Sequence, residues 1–395
     1  MGEAGTDAAV PGQVGVLAAD RRRTLAALTA CHTVNDFYGL LLPPLLPALR
    51  AAFGLTYAQA GMIPFVSTGL SALLQPNLGY LADRRGIRKP LMVAGFVTFA
   101  LAAVSIGRSS SFETLLLAGL LLGIGASTYH PQSATFLSYY FAQNRGRAQG
   151  IHGIGNGLGF MAAPVVVAYL AERLGWHNAA TLLALPALLA ALVVVASLRE
   201  PKVRGSRGLL AGVTRPLLLL TAVNGLGMAA SNGFLTWLPS YYASQGHSLF
   251  VSGTLTAAIS TAALLAQPLG GALSDRFGRR NVVAFSLASA GVCLLLFLAA
   301  PTLLLMVPLS LLVGFSTSLL PPVMMVYASE LAAGERTGMA VGIVWGLGTA
   351  VSSLSPLATG GIIDARGFGP TYLALAGVSG VATLLTLLLP DQRPR

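Results

Sequence analysis

Of the 395 residues, 54% are hydrophobic and only 9% charged, with a mean hydropathy of +0.73. Soluble domains carry about 25% charged residues, so a soluble fold of this length is excluded and a polytopic helical membrane protein is implied. The net charge of +11 argues against a nucleic-acid partner once the cations are located, because they fall in alternate loops and not on a patch.

With the N-terminus inside, 20 of the 24 Lys and Arg residues lie on the inside loops and only Arg50, Arg108, Arg173 and Arg366 outside. The positive-inside rule then places both termini in the cytoplasm and the chain in the cell membrane. The first twenty residues lack a short apolar core before a cleavage site, so the first helix is expected to be an uncleaved span. Apolar periodicity predicts six helices over 24–50, 57–82, 89–107, 112–141, 145–172 and 178–198. A basic stretch with Pro201 and Gly205 follows, and the division expected is an N-terminal half 1–198, a cytoplasmic linker 199–215 and a C-terminal half 216–395. The second half carries predicted helices over 216–243, 251–273, 281–300, 302–330, 336–364 and 369–390. Cys31 and Cys293 both lie in apolar segments and imply no disulfide framework.

The halves repeat at a constant offset of 192 residues: Gln75-Pro76 with Gln267-Pro268, Gly79 with Gly271, Asp83-Arg84 with Asp275-Arg276, Gly86 with Gly278 and Arg88 with Arg280. The same offset pairs Pro47 with Pro239, Gly61 with Gly253, Gly150-Ile151 with Gly342-Ile343 and Pro164 with Pro356. Six spans separate equivalent positions, so both copies face one side and the repeat is parallel.

Within the first helix, His32, Asn35 and Asp36 stand at i, i+3 and i+4 and share one face. A carboxylate at the bilayer centre costs roughly 2.5–3.5 kcal/mol, so Asp36 should face a cavity or a partner. At about 1.5 Å of rise per residue, Asp36 lies roughly 18 Å from the cytoplasmic end of its span, His130 and Asn156 roughly 16 Å, and His152 roughly 10 Å. Among the thirteen acids, Asp36 alone falls deep within a predicted span. An imidazole one turn from a buried carboxylate can exchange a proton with water, which makes His32, Asn35, Asp36, His130 and Asn156 the candidate proton-coupling group.

Gly79-Tyr80-Leu81-Ala82-Asp83-Arg84-Arg85-Gly86-Ile87-Arg88-Lys89 and Gly271-Ala272-Leu273-Ser274-Asp275-Arg276-Phe277-Gly278-Arg279-Arg280 resemble the two copies of the loop 2–3 signature of the major facilitator superfamily. His32-x-x-Asn35-Asp36 and Tyr129-His130-Pro131-Gln132 resemble its fosmidomycin-resistance branch, although relatives carry an acid where Gln132 stands. The resemblance implies an all-α fold of twelve transmembrane helices, in two parallel six-helix repeats that rock about a midplane site. It implies a cavity lined by the first, fourth, seventh and tenth helices. Tyr38, Gln132, Asn224, Asn232, Met324 and Tyr327 are then the candidate substrate contacts. It implies also a conformational gate of Gly79, Asp83, Arg84, Gly86, Gly271, Asp275, Arg276 and Gly278, with Asp83 meeting the N-terminus of the eleventh helix and Asp275 that of the fifth. Helix five, with Gly150, Gly159 and Pro164, partly resembles an antiporter signature.

The function implied is proton-coupled efflux of small drug-like or amphiphilic molecules by a monomer in the lipid bilayer, its partners being substrate and protons. The alternative is a proton-coupled importer of a small metabolite. No cofactor and no metal are expected, and no enzyme, since Ser nucleophile and HExxH motifs are missing. A transition metal held by the histidines and Asp36 is neither required nor excluded by their spacing.

Overall fold

A computed structural model describes residues 18–201, 214–300, 302–332 and 337–391, and among these there are α-helices and no strand. The first span is α1 (Ala18–Gly39) followed by α2 (Leu42–Phe53), the second α3 (Tyr57–Arg85) and the third α4 (Arg88–Gly107). Helices α5 (Phe112–Ala126) and α6 (His130–Tyr140) make the fourth, and α7 (Arg145–Leu182) with α8 (Ala184–Ser197) the fifth and sixth. The second half is α9 (Arg215–Ser244), α10 (Leu249–Phe277), α11 (Arg279–Ala299), α12 (Leu303–Ser318) with α13 (Leu320–Leu331), α14 (Thr337–Arg366) and α15 (Phe368–Thr386). Most of the predicted linker, residues 202–213, lies outside the described residues, as does the start of the eleventh helix before Thr337.

The first, fourth and tenth spans are each broken where the sequence reading has one continuous helix. In each case a proline follows at the first or second position of the next helix, so an N–H is missing where the turn must be bridged. The boundary between the fifth and sixth spans also moves. The chain turns at Gly175 (φ 75°, ψ 152°) and helical geometry resumes at once, where a polar gap between 172 and 178 is expected. Among the described residues nine helical stretches are long and apolar enough to cross a membrane, and one of them, Ala142–Ser197, contains that turn and crosses twice. The first two spans fall short of that apolarity because they carry His32, Asn35 and Asp36, and Gln59, Gln75 and Asn77.

The repeat is written into the backbone. Helices α3 and α10 are offset by 192 at both ends, and their N-caps, Thr56 and Ser248, each accept from the amide three residues on. All six positive-φ glycines of the described residues fall into three pairs at that offset: Gly54 with Gly246, Gly86 with Gly278, and Gly175 with Gly367. One sequence pairing is corrected. Helix α4 starts at Arg88 and α11 at Arg279, so the register slips by one residue after Gly86 and Gly278, and Arg88 matches Arg279 in place of Arg280.

Between the halves, α3 packs along α14 and α7 along α10. Glycines allow the approach: a Cβ on Gly61 would lie 2.2 Å from Pro356 O, and one on Gly253 2.2 Å from Pro164 O. Leu46, Ala60, Trp237 and Ile363 close an apolar cluster across the same end of the seam. At the opposite end, beside the arginine loops, a Cβ on Gly146, Gly150, Gly153, Gly271, Gly342 or Gly346 would meet none of the described residues within 4 Å. Among the described residues the halves are therefore shut at one end and parted at the other.

Candidate functional site

Helix α1 presents His32, Asn35 and Asp36 to α6 and α7. Two glycines one turn apart on α7 let the backbones nearly touch, since a Cβ on Gly155 would sit 2.4 Å from Thr29 O and one on Gly159 2.4 Å from Thr33 O. That approach carries Asn156 to the acid. Asp36 Oδ2 accepts from Asn156 Nδ2 and lies 3.1 Å from His32 Nε2; Oδ1 accepts from Asn35 Nδ2 at 2.7 Å and lies 3.6 Å from His130 Nε2. The carboxylate is enclosed, with 4% of its side chain exposed, whereas 45% of the His130 side chain is open.

Hydrogen positions follow from the partners. His32 Nδ1 lies 2.9 Å from the His152 carbonyl, which can only accept, so Nδ1 carries a proton. Its other nitrogen faces a carboxylate oxygen, which in its ionised form also only accepts. Two lone pairs cannot be held together there, so one further proton lies between His32 Nε2 and Asp36 Oδ2, either as imidazolium–carboxylate or as imidazole–carboxylic acid. His152 is different. Tyr129 donates its hydroxyl proton to Leu28 O at 2.5 Å, leaving its oxygen to accept from His152 Nε2 at 3.0 Å. His152 Nδ1 is buried without a partner, so this ring is held neutral and stacks against His32 with centroids 4.1 Å apart. His130 Nε2 takes the second amide proton of Asn35 at 3.2 Å. The nitrogens of His32 and His130 and the oxygens of Asp36 lie within 4.8 Å of one another, a set able to hold a metal ion. They are paired with each other and with the amides of Asn35 and Asn156.

The C-terminal half repeats this frame with different chemistry. At the 192 offset, Asn224 stands for His32 and donates Nδ2 to Val344 O at 3.0 Å, as His32 does to His152 O. Met228 replaces Asp36, with its sulfur 3.4 Å from Asn224 Nδ2, and Gly348 replaces Asn156.

The expected substrate contacts are not gathered about this cluster. Tyr38 is buried, stacks on Phe99 and gives its hydroxyl to Leu183 O. Asn224 and Asn232 tie α9 to α14 through Val344 O and Ser352 O. Met324 and Tyr327 are enclosed in the C-terminal core, Tyr327 donating to Pro390 O at 2.5 Å. Gln132 is fully buried, with neither amide atom partnered.

At the gate, Asp83 and Asp275 each make ion pairs inside their own half, and the start of the eleventh helix expected opposite Asp83 lies outside the described residues. Asp83 Oδ1 accepts from the buried Arg88 at 2.6 Å, and Arg88 reaches Glu200 at 3.5 Å. Asp275 pairs with Arg279, which also holds Glu330 at 3.0 Å. Arg84 lies over Tyr80, Arg276 over Phe277, Gly86 and Gly278 hold positive φ at the turn, and Gly79 meets Pro131 of its own half while Gly271 meets nothing within 4 Å. Sequence reasoning placed Gly159 in a partial antiporter signature and Tyr129 in the branch motif, but assigned neither the approach of Gly155 and Gly159 to α1 nor any contact of the acids Glu172 and Asp364. The i, i+4 spacing of the glycines and the 192 offset between the acids were the available signals.

A two-halved helical membrane bundle parted at one end, with an ionisable cluster at mid-depth, is the build of a transporter and not of an enzyme. The family model for the Major Facilitator Superfamily matches residues 28–264 and 217–395, and the chain belongs to that family. It is similar to the uncharacterized MFS-type transporter YfnC of Bacillus subtilis (strain 168), at 29% identity over 94% of each chain. It is also similar to the fosmidomycin resistance protein of Escherichia coli (strain K12), at 28% identity over 93% of each. Its fold matches a bacterial homolog of the human lysosomal transporter Spinster in an inward-facing, unoccupied conformation, with a TM-score of 0.80 at 18% identity, covering 95% of this chain and 98% of that one.

Proposed function

We propose that this multi-pass transporter works by proton-coupled alternating access as a monomer in the cell membrane, both termini cytoplasmic, exporting small drug-like or amphiphilic molecules. One observation carries the coupling: both nitrogens of His32 face acceptors, so His32 and Asp36 share a proton inside the bilayer. His130, half open and 3.6 Å from Asp36, is the member through which that proton meets water. With the termini inside, the parted end is cytoplasmic and the described state is inward-open. Export is supported by similarity to a fosmidomycin resistance protein. The test is substrate flux by purified Asp36→Asn protein in liposomes under an imposed pH gradient. Loss of gradient-driven flux is expected, and wild-type rate and pH dependence would overturn the coupling.

A second reading, a proton-coupled importer of a small metabolite, is favoured by the enclosure of Asp36. Three donors, Asn35, Asn156 and His32, surround the carboxylate, so a cationic cargo does not reach it directly and need not compete with the proton. The sign of the gradient that accelerates uptake into liposomes separates the two.

A further inference from the structure

At the shut end of the seam, two carboxylates cross between the halves and sit on helix starts. Asp364, near the end of α14, accepts from the amides of Tyr57 and Ala58 at 2.8 Å each, the first turn of α3. Glu172, on α7, accepts from the amide of Phe250 at 2.8 Å, the first turn of α10. The two acids are 192 residues apart, and so are Ala58 and Phe250. The same contact is thus made twice, across the two most closely packed helix pairs between the halves. First-turn amides have no intrahelical partner, and the helix dipole adds attraction for an anion. The apolar cluster of Leu46, Ala60, Trp237 and Ile363 has no such directional requirement. The carboxylates therefore act only when the seam is shut to hydrogen-bonding distance.

We propose that Glu172 and Asp364 are a paired latch that holds this end of the transporter shut, acting as positioning residues that set the balance between its two access states. The proposal rests on the alternating-access reading but not on proton coupling. When the shut end opens, both acids return to water and the amides of α3 and α10 lose their caps together. Surface carboxylates at helix starts contribute roughly 0.3–1 kcal/mol each, so removing both shifts the state ratio about three- to thirtyfold.

The test uses the full chain in liposomes with Cys31 and Cys293 replaced by Ser, and spin labels at Ala52 and Ala365 on the shut end or at Arg84 and Arg276 on the parted end. Asp364→Asn with Glu172→Gln should lengthen the first distance and shorten the second, with each single change giving about half the effect on a logarithmic scale and Asp364→Glu restoring the wild-type distribution. A role in folding alone would lower thermal stability without this reciprocal movement. Unchanged distances at both ends in the double variant, or in the single variants if the double fails to fold, would overturn the latch. Loss of proton coupling in Asp36→Asn with a normal latch response would leave the latch standing.

Discussion

His32→Asn separates the structural from the chemical work of one side chain. In the C-terminal half an asparagine already makes the tie that His32 makes, Asn224 Nδ2 reaching Val344 O at 3.0 Å where His32 Nδ1 reaches His152 O at 2.9 Å. Asparagine at position 32 therefore keeps the bond between α1 and α7. What it removes is Nε2, and with it the proton shared with Asp36. Loss of one charge-assisted hydrogen bond costs about 1.5–3 kcal/mol, with Asn35 and Asn156 still donating to the carboxylate. His32→Leu removes the tie as well and should cost about 0.5–1.5 kcal/mol more. The assay pairs thermal unfolding of purified protein with flux in liposomes at equal substrate gradient, with and without a pH gradient. His32→Asn should unfold a few degrees lower and lose the acceleration by the pH gradient while keeping counterflow of substrate. Gradient-driven flux at the wild-type level would refute the proton assignment, and unfolding as early as His32→Leu would refute the equivalence of the two ties.

Gly155→Ala should separate α1 from α7 by about 1 Å and pull Asn156 from Asp36, costing about 1–3 kcal/mol and lowering gradient-driven flux, whereas Gly153→Ala, whose Cβ meets nothing within 4 Å, should leave both unchanged. Equal behaviour of the two variants in unfolding and flux would count against the close-approach argument. Arg88→Ala leaves Asp83 and Glu200 without their guanidinium and should destabilise the N-terminal half by about 1–3 kcal/mol after allowing for the partial exposure of both acids, and Lys at 88 should rescue poorly because one ammonium does not span both carboxylates. Thermal unfolding with and without acid-matched variants at Asp83 reads this directly.

How much was legible depended on whether the signal was periodic or spatial. Twelve spans and their doubling could be read, because apolar length and a fixed offset are properties of the chain itself, and the polar face of His32, Asn35 and Asp36 followed from helical spacing. The breaks before Pro43, Pro131 and Pro321 were also written in the sequence, yet a continuous apolar run outweighed them in the reading. What could not be read was which face of a helix turns inward. Tyr38 lies two residues from Asp36, and that rotation carries its ring into the core against Phe99. Met324 is enclosed while its neighbour Met325 is exposed, a difference of about 100° that no spacing rule fixes when every face of a membrane helix is apolar. The gate contacts depend on a state as well as on a spacing: their partners differ with which end of the seam is shut, and a sequence encodes both states at once.

The two kinds of residue also differ in how the repeat treats them. Arg88 and Arg279, Glu172 and Asp364, Gly61 and Gly253 occur in both halves with closely related contacts. A rocking motion about an axis between the halves must release α3 from α14 and α10 from α7 together, so a device on one seam alone would let the other hold the end shut. A proton site has no such need. On the proposed reading one shared proton suffices for coupling, and a second buried acid would cost roughly 2.5–3.5 kcal/mol without opening anything. The C-terminal copy is built accordingly: Met228 leaves no charge to satisfy, and Gly348 leaves room, since a Cβ there would fall 2.7 Å from Asn224 Nδ2. Asn156 at the matching position of the N-terminal half is accommodated because the side chain that α7 meets there is the carboxylate it was brought to bond.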